Sequence, residues 1–310
     1  MEFHVVEKNE LNKFAKGFCE LYKTAFKDYM DENVFMQRYF DNPYDDVCMC
    51  LAIDQGKIVA NYSASPRRAL LNHRIIKCAQ SLNTVTHPLY FGKGLFVQLA
   101  ELLYENLERK GYKFIYGFPN NLSNRTFNSK LHWKTIYEVP TLELDITNLK
   151  RTPSRNDKII YSSKIADDIS KKRLNYSGKY EIYKDSSYLK WRYMNSIDKK
   201  YNFIKIGDDS WAIFKIYENI VNIVEIHSNN IEEFEELIKW IINFTFDKEL
   251  KKITIWQAIN TDEHIFLEKM GFRNKYPIYT FGARLLDSTF SEDIFDYRLW
   301  RLQLGDENEY

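Results

Sequence analysis

The sequence is poor in the features that mark several protein classes. It has only four cysteines in 310 residues, and the alternating pair Cys48 and Cys50 has no histidine or cysteine partners nearby at zinc spacing, so we expect no metal site. No apolar run approaches the 18 residues of a membrane-spanning helix, and the opening MEFHVVEKNE lacks the apolar core of a signal peptide. The net charge of +1 gives no electrostatic footprint for nucleic acid or an anionic membrane. These absences favour a reduced, cytoplasmic protein without nucleic-acid or membrane partners.

An internal repeat organises the chain, whose 310 residues are enough for two domains. A stretch of the first half matches one 139 residues later, the difference between Leu95 and Phe234, without gaps. In both copies a helical stripe lies between two β-rich runs, which predicts a β-α-β unit twice. The matched pairs are Leu95 and Phe234, Leu99 and Ile238, Leu103 and Ile242, Phe114 and Ile253, Asn121 and Asn260, Phe127 and Phe266, Lys130 and Lys269, Leu131 and Met270, and Trp133 and Phe272.

Composition and periodicity divide the chain into two lobes and a linker. Helical spacing is expected over about 10–40, followed by strands that include Lys57–Ala64 and Arg74–Cys78. The polar stretch 151–175 reads as a linker, and the runs Leu189–Tyr193 and Tyr201–Tyr217 are predicted to open the second lobe as strands. We therefore expect a first domain at 1–150, a linker at 151–177 and a second domain at 178–310.

The stretch NTVTHPLYFGKGLF, from Asn83 to Phe96, carries the candidate chemistry. A strand runs into a turn with a proline, then into a short glycine loop and an amphipathic helix. Gly92 and Gly94 allow a tight turn and a close approach of the backbone to a ligand. Free N–H groups at the start of a helix suit a pyrophosphate, and Lys93 adds a cation. A glycine pair before a helix is also common without any ligand, so the loop alone leaves both possibilities open.

The segment resembles the acetyl-CoA signature of the GNAT acetyltransferase superfamily, V-x-P-x-Y-R-G-K-G-x-G. Its matching positions are Pro88, Tyr90, Gly92, Lys93 and Gly94, and its departures are Thr86 for Val, Phe91 for Arg or Gln, and Phe96 for Gly or Ala. A second family landmark, N-x7–8-K-x-G-F, is matched from Asn121 to Trp133 and more closely from Asn260 to Phe272. The ending Trp300 to Asp306 is similar to the W-x-x-x-x-G-D ending of acetyltransferases associated with surface sugars.

The resemblance implies an α/β (α+β) fold of two tandem GNAT-like lobes, each with a mixed, mostly antiparallel sheet flanked by helices. It implies acetyl-CoA as cosubstrate in the first lobe only, because the second lobe has Ile231 and Glu233 where the first has its two glycines. The implied cofactor-binding residues are Thr84, Val85, Thr86, Phe91, Gly92, Lys93, Gly94, Leu95, Phe96 and Asn121.

The sequence offers several candidates for the residues that transfer protons. Many GNAT enzymes use a tyrosine as the acid, and Asn128 stands at that position here. His87 is a candidate base because of its intrinsic pKa, although its turn position also suits a solvated side chain. Asp306 and the terminal carboxylate of Tyr310 are the other candidates, the latter by resemblance to Eis-type enzymes. Gln80 and Asn83, on the strand before the loop, are expected to face the acceptor.

The sequence thus predicts transfer of an acetyl group to a small amine, by resemblance an amino sugar or its nucleotide-linked form, with a homodimer as a possible assembly. An aminoacyl-tRNA-dependent transferase of the Fem type is one alternative. The intact glycine loop and the lack of basic excess oppose it. The other alternative is a non-catalytic acyl-CoA-binding or regulatory module, which the missing tyrosine favours.

Overall fold

The computed structural model describes residues 1–44, 47–151, 159–161, 179–207, 209–259, 261–291 and 293–307. Most of the predicted linker 151–177 therefore lies outside the described residues. The repeat position Asn260 also lies outside them. The strands are β1 Glu2–Val5, β2 Cys48–Asp54, β3 Lys57–Leu71, β4 Arg74–Thr86, β5 Phe114–Gly117, β6 Lys134–Asp145, β7 Ile159–Tyr161, β8 Tyr180–Tyr183, β9 Asn202–Ile206, β10 Ser210–Tyr217, β11 Ile220–His227, β12 Lys252–Ile255, β13 Arg273–Leu285 and β14 Trp300–Arg301.

Helices separate these strands, and two of them lie at the predicted helical stripes that include Leu95 and Phe234. The α-helices are α1 Leu11–Phe26, α2 Glu32–Tyr39, α3 Leu95–Arg109, α4 Asn121–Lys130, α5 Ser186–Leu189, α6 Ile231–Asp247 and α7 Asp262–Lys269. Shorter 3₁₀ turns are Lys8–Glu10, Pro88–Tyr90, Tyr297–Leu299 and Leu304–Asp306, and Lys190–Met194 forms a π-helical turn. Within the described residues, no helix has both the length and the apolar character needed to cross a membrane.

The chain divides into two compact units. Unit 1 is Met1–Tyr137 with Thr280–Tyr297, and unit 2 is Glu138–Tyr279 with Arg298–Tyr310. Unit 1 thus includes a segment of the second half of the chain, Thr280–Tyr297, and unit 2 begins at Glu138, before residue 150.

Unit 1 contains the strand order β1-β2-β3-β4-β5, continued by the last residues of β13. The β4–β5 pair is parallel, with α3 as its crossover, and the other pairs are antiparallel. The predicted strand at Arg74–Cys78 and the strand predicted to run into the glycine loop are one continuous strand, β4. The apolar stripe of α3 packs on one face of this sheet, where Leu99, Leu103 and Leu107 are fully buried. Each such side chain contributes roughly 1.5–3 kcal/mol of hydrophobic stabilisation.

The opposite face of the unit 1 sheet is covered by α1 and α2, whose core includes Phe18 and Phe35. The single predicted helical stretch over about 10–40 is two helices. Lys27 ends α1 in a left-handed conformation, φ 56°, and the Asp31 side chain caps α2 by accepting the Asn33 N–H.

Unit 2 repeats the plan with the strand order β6-β12-β11-β10-β9-β7, in which β11 and β12 are parallel and the other pairs antiparallel. The stripe of α6 fills its core with Phe234, Ile238 and Ile242. The predicted strand at Leu189–Tyr193 is wrong, because this segment is helical. Asp185 caps it by accepting the Tyr188 N–H. The predicted fold class of mixed α/β sheets flanked by helices is confirmed.

Candidate active site

The sheet of unit 1 opens where β4 passes the glycine loop. Among the described strands, β5 pairs with β4 only through Cys78–Gln80, while β4 continues to Thr86. The last close approach is at Gly117, where a Cβ atom would lie 3.3 Å from the Ser81 Cβ. The pairing ends at Gln80 and β5 ends at Gly117, so beyond this point the edge of β4 presents backbone N–H and C=O groups that β5 does not pair. An extended ligand with amide groups can pair with such an edge.

A bulge distorts β4 within this opening. Ser63 faces Leu82 and Asn61 faces Val85 across the β3–β4 ladder, so β4 contains one extra residue. Asn83 takes up the bulge in a left-handed conformation, φ 49°. Asparagine is one of the few non-glycine residues that tolerate this region. The bulge turns local backbone groups out of the regular ladder direction, directly beside the open edge.

Buried polar side chains hold the bulge from the face covered by α1 and α2. The Asn61 Nδ2 donates to the Asn83 backbone oxygen at 2.6 Å, and the Asn83 Nδ2 donates to the Tyr39 Oη at 2.8 Å. The Tyr39 hydroxyl lies 2.9 Å from the Ser63 Oγ, which donates to the Leu82 oxygen at 3.1 Å. Burial raises the pKa of Tyr39, more than its hydrogen bonds with Ser63 and Asn83 lower it, so its hydroxyl stays neutral.

The same face carries a second polar group further along β3. The guanidinium of Arg67, only 3% exposed, donates to the Ser65 Oγ at 2.5 Å and to the Gln80 Oε1 at 3.0 Å, and the Asn42 Nδ2 also reaches the Ser65 Oγ. The sequence contained a signal for this row: Asn61, Ser63, Ser65 and Arg67 alternate at the period of a strand. The alternation alone does not predict a buried row, because polar residues are uncommon on a buried face of a sheet.

The glycine loop sits at the start of α3. Gly92 and Gly94 have φ values of 77° and 73°, which L-residues rarely adopt. Nothing lies within 4 Å of a Cβ atom placed on Gly92, so the loop is open to a ligand there. Gly94 is the N-cap of α3, and no side chain caps the helix. The first N–H groups of α3 are therefore available to an anion.

The residues around the loop are held by local contacts. The Tyr90 hydroxyl donates to the Asp54 Oδ2 at 2.7 Å, and the Lys93 Nζ lies 4.2 Å from the centre of the Tyr90 ring. The His87 Nδ1 accepts the Leu89 N–H at 3.2 Å, so this candidate base serves as the cap of the 3₁₀ turn Pro88–Tyr90. Because Nδ1 accepts, the neutral ring carries its proton on Nε2, which is a donor in this arrangement.

The other predicted cofactor residues differ in exposure. Phe91, Lys93 and Asn121 are exposed, Thr84, Thr86 and Phe96 are half-buried, and Val85 and Leu95 are buried. Leu95 belongs to the core, so only its backbone can meet a ligand. The Phe96 ring packs on Tyr62 and Phe127, at ring-centre distances of 5.6 Å and 5.2 Å. Phenylalanine at this position therefore ties α3 to α4.

Of the candidate catalytic residues that the structure describes, His87 and Asn128 belong to unit 1 and Asp306 belongs to unit 2. Asn128 is exposed on α4, where its Nδ2 donates to the Asn124 Oδ1 at 2.8 Å. Asp306 is 2% exposed in unit 2, where its Oδ1 lies 2.6 Å from the Lys184 Nζ. Tyr310 lies outside the described residues. The described residues contain no group of three or more histidine, cysteine, aspartate or glutamate side chains that could hold a metal ion.

Comparisons with known proteins agree with this geometry. Residues 9–136 match the family model of the acetyltransferase (GNAT) domain. The chain carries a GNAT acetyltransferase domain. This domain lies within unit 1 and includes the open edge of β4, its bulge and the glycine loop. No curated protein matches the sequence.

Solved structures resemble the fold over nearly the whole chain. A probable N-acyltransferase of unknown function from Enterococcus faecalis matches with a TM-score of 0.71 and 14% identity, covering 92% of this chain and 72% of that one. A GCN5-related N-acetyltransferase from Kribbella flavida gives 0.68 and 12%, covering 93% and 72%. Eis1 from Mycobacterium abscessus gives 0.62 and 9%, covering 93% and 74%. The fold of the chain, over both units, is thus similar to the folds of these three solved structures.

Proposed function

We propose that the protein is an acetyl-CoA-dependent N-acetyltransferase that acts on a small amine, with one active site in unit 1. The observation that carries the proposal is the pair of left-handed glycines at the uncapped start of α3, beside the unpaired edge of β4. A helix start with free N–H groups suits a pyrophosphate, and an open strand edge suits the amides of a pantetheine arm. The two features together fit the two ends of one ligand.

We assign each group a role in binding acetyl-CoA from its exposure. The backbone N–H groups of Gly92, Lys93 and Gly94 hold the pyrophosphate, with the Lys93 ammonium at the solvent side. The backbone of Thr84–Thr86 pairs with the pantetheine arm, and Asn121 lies near it at the start of α4. Phe91 adds an apolar contact where the family signature has a cation, so the grip on the phosphates relies on the backbone N–H groups.

The bulge supports the acyl-transfer step. The neutral amine attacks the acetyl carbonyl carbon, a C–N bond forms, the C–S bond breaks, and the thiolate leaves with a proton. A backbone N–H turned out of the ladder by the bulge is suited to stabilise charge on the carbonyl oxygen. Of the predicted proton-transfer residues, His87 is nearest in sequence to the loop, and we propose it as the base. For this its Nδ1 must release the Leu89 N–H, because that hydrogen bond keeps the proton of the neutral ring on Nε2. Asn128 would act only as a hydrogen-bond donor. For Asp306 we propose a structural role, because it is buried beside Lys184.

The acceptor is proposed from the side chains beside the bulge and from the sequence ending Trp300–Asp306. A small amine is favoured because the buried side chains beside the bulge are hydroxyls and amides, which bind neutral polar groups. The amino-sugar assignment rests on the resemblance of the Trp300–Asp306 ending to sugar-associated acetyltransferases. A cytoplasmic location and a homodimer belong to the same proposal.

Calorimetric titration with acetyl-CoA tests the proposal. We expect the native protein to bind, and a Gly94→Glu variant, which imports the residue at the matching position of unit 2, to lose binding. Gly111→Glu is the matched control, because Gly111 also has a positive φ, 81°, but lies beyond the far end of α3. If the native protein binds no acetyl-CoA, the proposal fails and the Fem-type or non-catalytic alternatives gain weight. Binding justifies a screen of amino sugars and other amines for turnover.

A further inference from the structure

Unit 2 keeps the geometry of the open, bulged strand edge of unit 1, which we name the groove, although it lacks the glycine loop. Its parallel pair β11–β12 ends at Ile223, while β11 continues to His227. The β10–β11 ladder changes register just there, so β11 bulges by one residue at Val224. A bulged strand thus runs past the end of its parallel neighbour, as β4 does in unit 1.

Beyond Ile223, the edge of β11 that β12 no longer pairs is hydrogen-bonded by another segment of the chain. The Ile226 N–H donates to the Gln303 Oε1 at 2.6 Å, and both groups are buried. A strand has two hydrogen-bonding edges, and an N–H bonded to Gln303 does not point at β10. Gln303 therefore lies on the edge that β12 has left. Its Nε2 lies 3.1 Å from the His227 Nε2, which extends the contact to the end of the strand.

The backbone of the same segment lies directly on this edge. A Cβ atom on Gly305 would lie 2.9 Å from the Val224 oxygen and 2.5 Å from the Glu225 Oε1, and would collide with the Tyr193 Oη. Only glycine allows this approach, which explains the glycine of the W-x-x-x-x-G-D ending.

Buried charges fix the segment in place. The Lys184 Nζ lies 2.8 Å from the Glu225 Oε1 and 2.6 Å from the Asp306 Oδ1, and all three side chains are at most 3% exposed. The Asp306 Oδ2 also accepts the Gln303 N–H at 2.7 Å, which closes the turn. Glu225 belongs to β11, so Lys184 links the segment to the strand. A buried ion cluster of this kind resists separation, because removing one partner leaves a charge in the interior.

The helix start in unit 2 is closed as well. Asn230 caps α6 by accepting the Glu233 N–H at 2.8 Å, and Glu232 and Glu233 occupy the first turn. The corresponding helix start in unit 1 has Gly94 and no side-chain cap. The carboxylates repel a pyrophosphate, and the cap removes one of the N–H groups that would bind it.

We propose that the segment Gln303–Asp306, which we name the plug, occupies the second groove in place of an acyl-CoA. The plug supplies to β11 the kind of hydrogen bond that the proposed cofactor supplies to β4. The plug and the capped start of α6 together make unit 2 a closed copy of the site. The chain consequently takes up one acyl-CoA.

Hydrogen exchange of the Ile226 amide in the full chain tests the plug without any ligand. A Gln303→Met variant keeps the length of the side chain and removes the acceptor, so we expect exchange of this amide to rise by about tenfold or more. Gln257→Met is the matched control, because Gln257 is a half-buried glutamine of unit 2 whose Nε2 bonds Thr261 instead. It should leave Ile226 unchanged. Equal exchange in native protein and Gln303→Met would overturn the proposal.

The stoichiometry of acetyl-CoA binding supplies a second readout, and this arm rests on the proposed function. One molecule per chain supports the plug, whereas two molecules, one of them retained in Gly94→Glu, would overturn it. If acetyl-CoA does not bind at all, the proposed function of unit 1 fails, and the exchange measurement alone decides the plug.

Discussion

The two ends of α3 allow the role of the glycine loop to be measured against an internal standard. Gly94 precedes the helix and Gly111 follows it, with φ values of 73° and 81°. An L-residue in this region costs roughly 1–2 kcal/mol. A Cβ on Gly111 meets nothing within 4 Å, and one on Gly94 meets only the Gln98 Nε2, at 3.6 Å. Gly94→Ala and Gly111→Ala therefore both add strain of this size without a steric clash. A segment that keeps its conformation loses that much stability, whereas a loop that relaxes keeps its stability and changes its backbone.

Only one of the two variants should affect acetyl-CoA. An alanine at 94 relaxes the loop in the free protein, and binding must restore the strained conformation. The cost of about 1–2 kcal/mol corresponds to roughly a 5- to 30-fold rise in Kd. Urea denaturation would measure the loss of stability, and calorimetry the affinity. Equal affinities of Gly94→Ala and the native protein, or an equal weakening in Gly111→Ala, would refute the assignment of the loop.

Two further predictions concern charges. Lys184→Met leaves Glu225 and Asp306 as uncompensated buried carboxylates, so the free energy of unfolding, measured in urea, should fall by about 3–5 kcal/mol. Adding Glu225→Gln and Asp306→Asn to this variant should restore most of the lost free energy. A loss below about 1 kcal/mol in Lys184→Met would contradict the prediction. The hydrogen bond from Lys113 lowers the pKa of Asp287 from 3.8 to about 2. The ionised Asp287 therefore stabilises the folded protein fully above pH 3.8, and this stabilisation is lost as the pH falls through about 2. The midpoint temperature of thermal unfolding of Asp287→Asn should accordingly be lower than that of the native protein at pH 6, and the two should converge as the pH falls through about 2. An equal difference at both ends of this range would exclude the ion pair as the cause.

The sequence predicted the parts of the fold that depend on local periodicity. The apolar stripe from Leu95 to Leu107 follows the helical repeat, and its burial against the sheet is what that repeat requires. The positive φ values of Gly92 and Gly94 were likewise predictable, because glycine before a helix signals a turn that other residues resist. The helix after Asp185 was predictable too. Asp185, three residues before Tyr188, is a capping signal for this helix. The aromatic residues that follow it favour a strand, and for this reason the sequence prediction was wrong.

Features that depend on distant parts of the chain were not predictable in the same way. Nothing near Asp306 in the sequence indicates that its partner is Lys184, so a carboxylate beside the chain end read equally well as a base. The bulge at Asn83 depends on Asn61 and Tyr39, which come from a different strand and from a helix. Asparagine tolerates a left-handed conformation but does not require it, so the residue type alone could not place the bulge.

The contrast between the units explains why one repeat can keep its fold and change its role. The helix stripe and the parallel strand pair are requirements of the hydrophobic core, so both copies retain them. The glycine loop is not required by the core, because Asn230 and the acidic first turn of α6 satisfy a helix start equally well. An open strand edge is different, since its backbone groups need partners in either case. In unit 1 we assign these partners to the cosubstrate, and in unit 2 Gln303 supplies one from the chain itself.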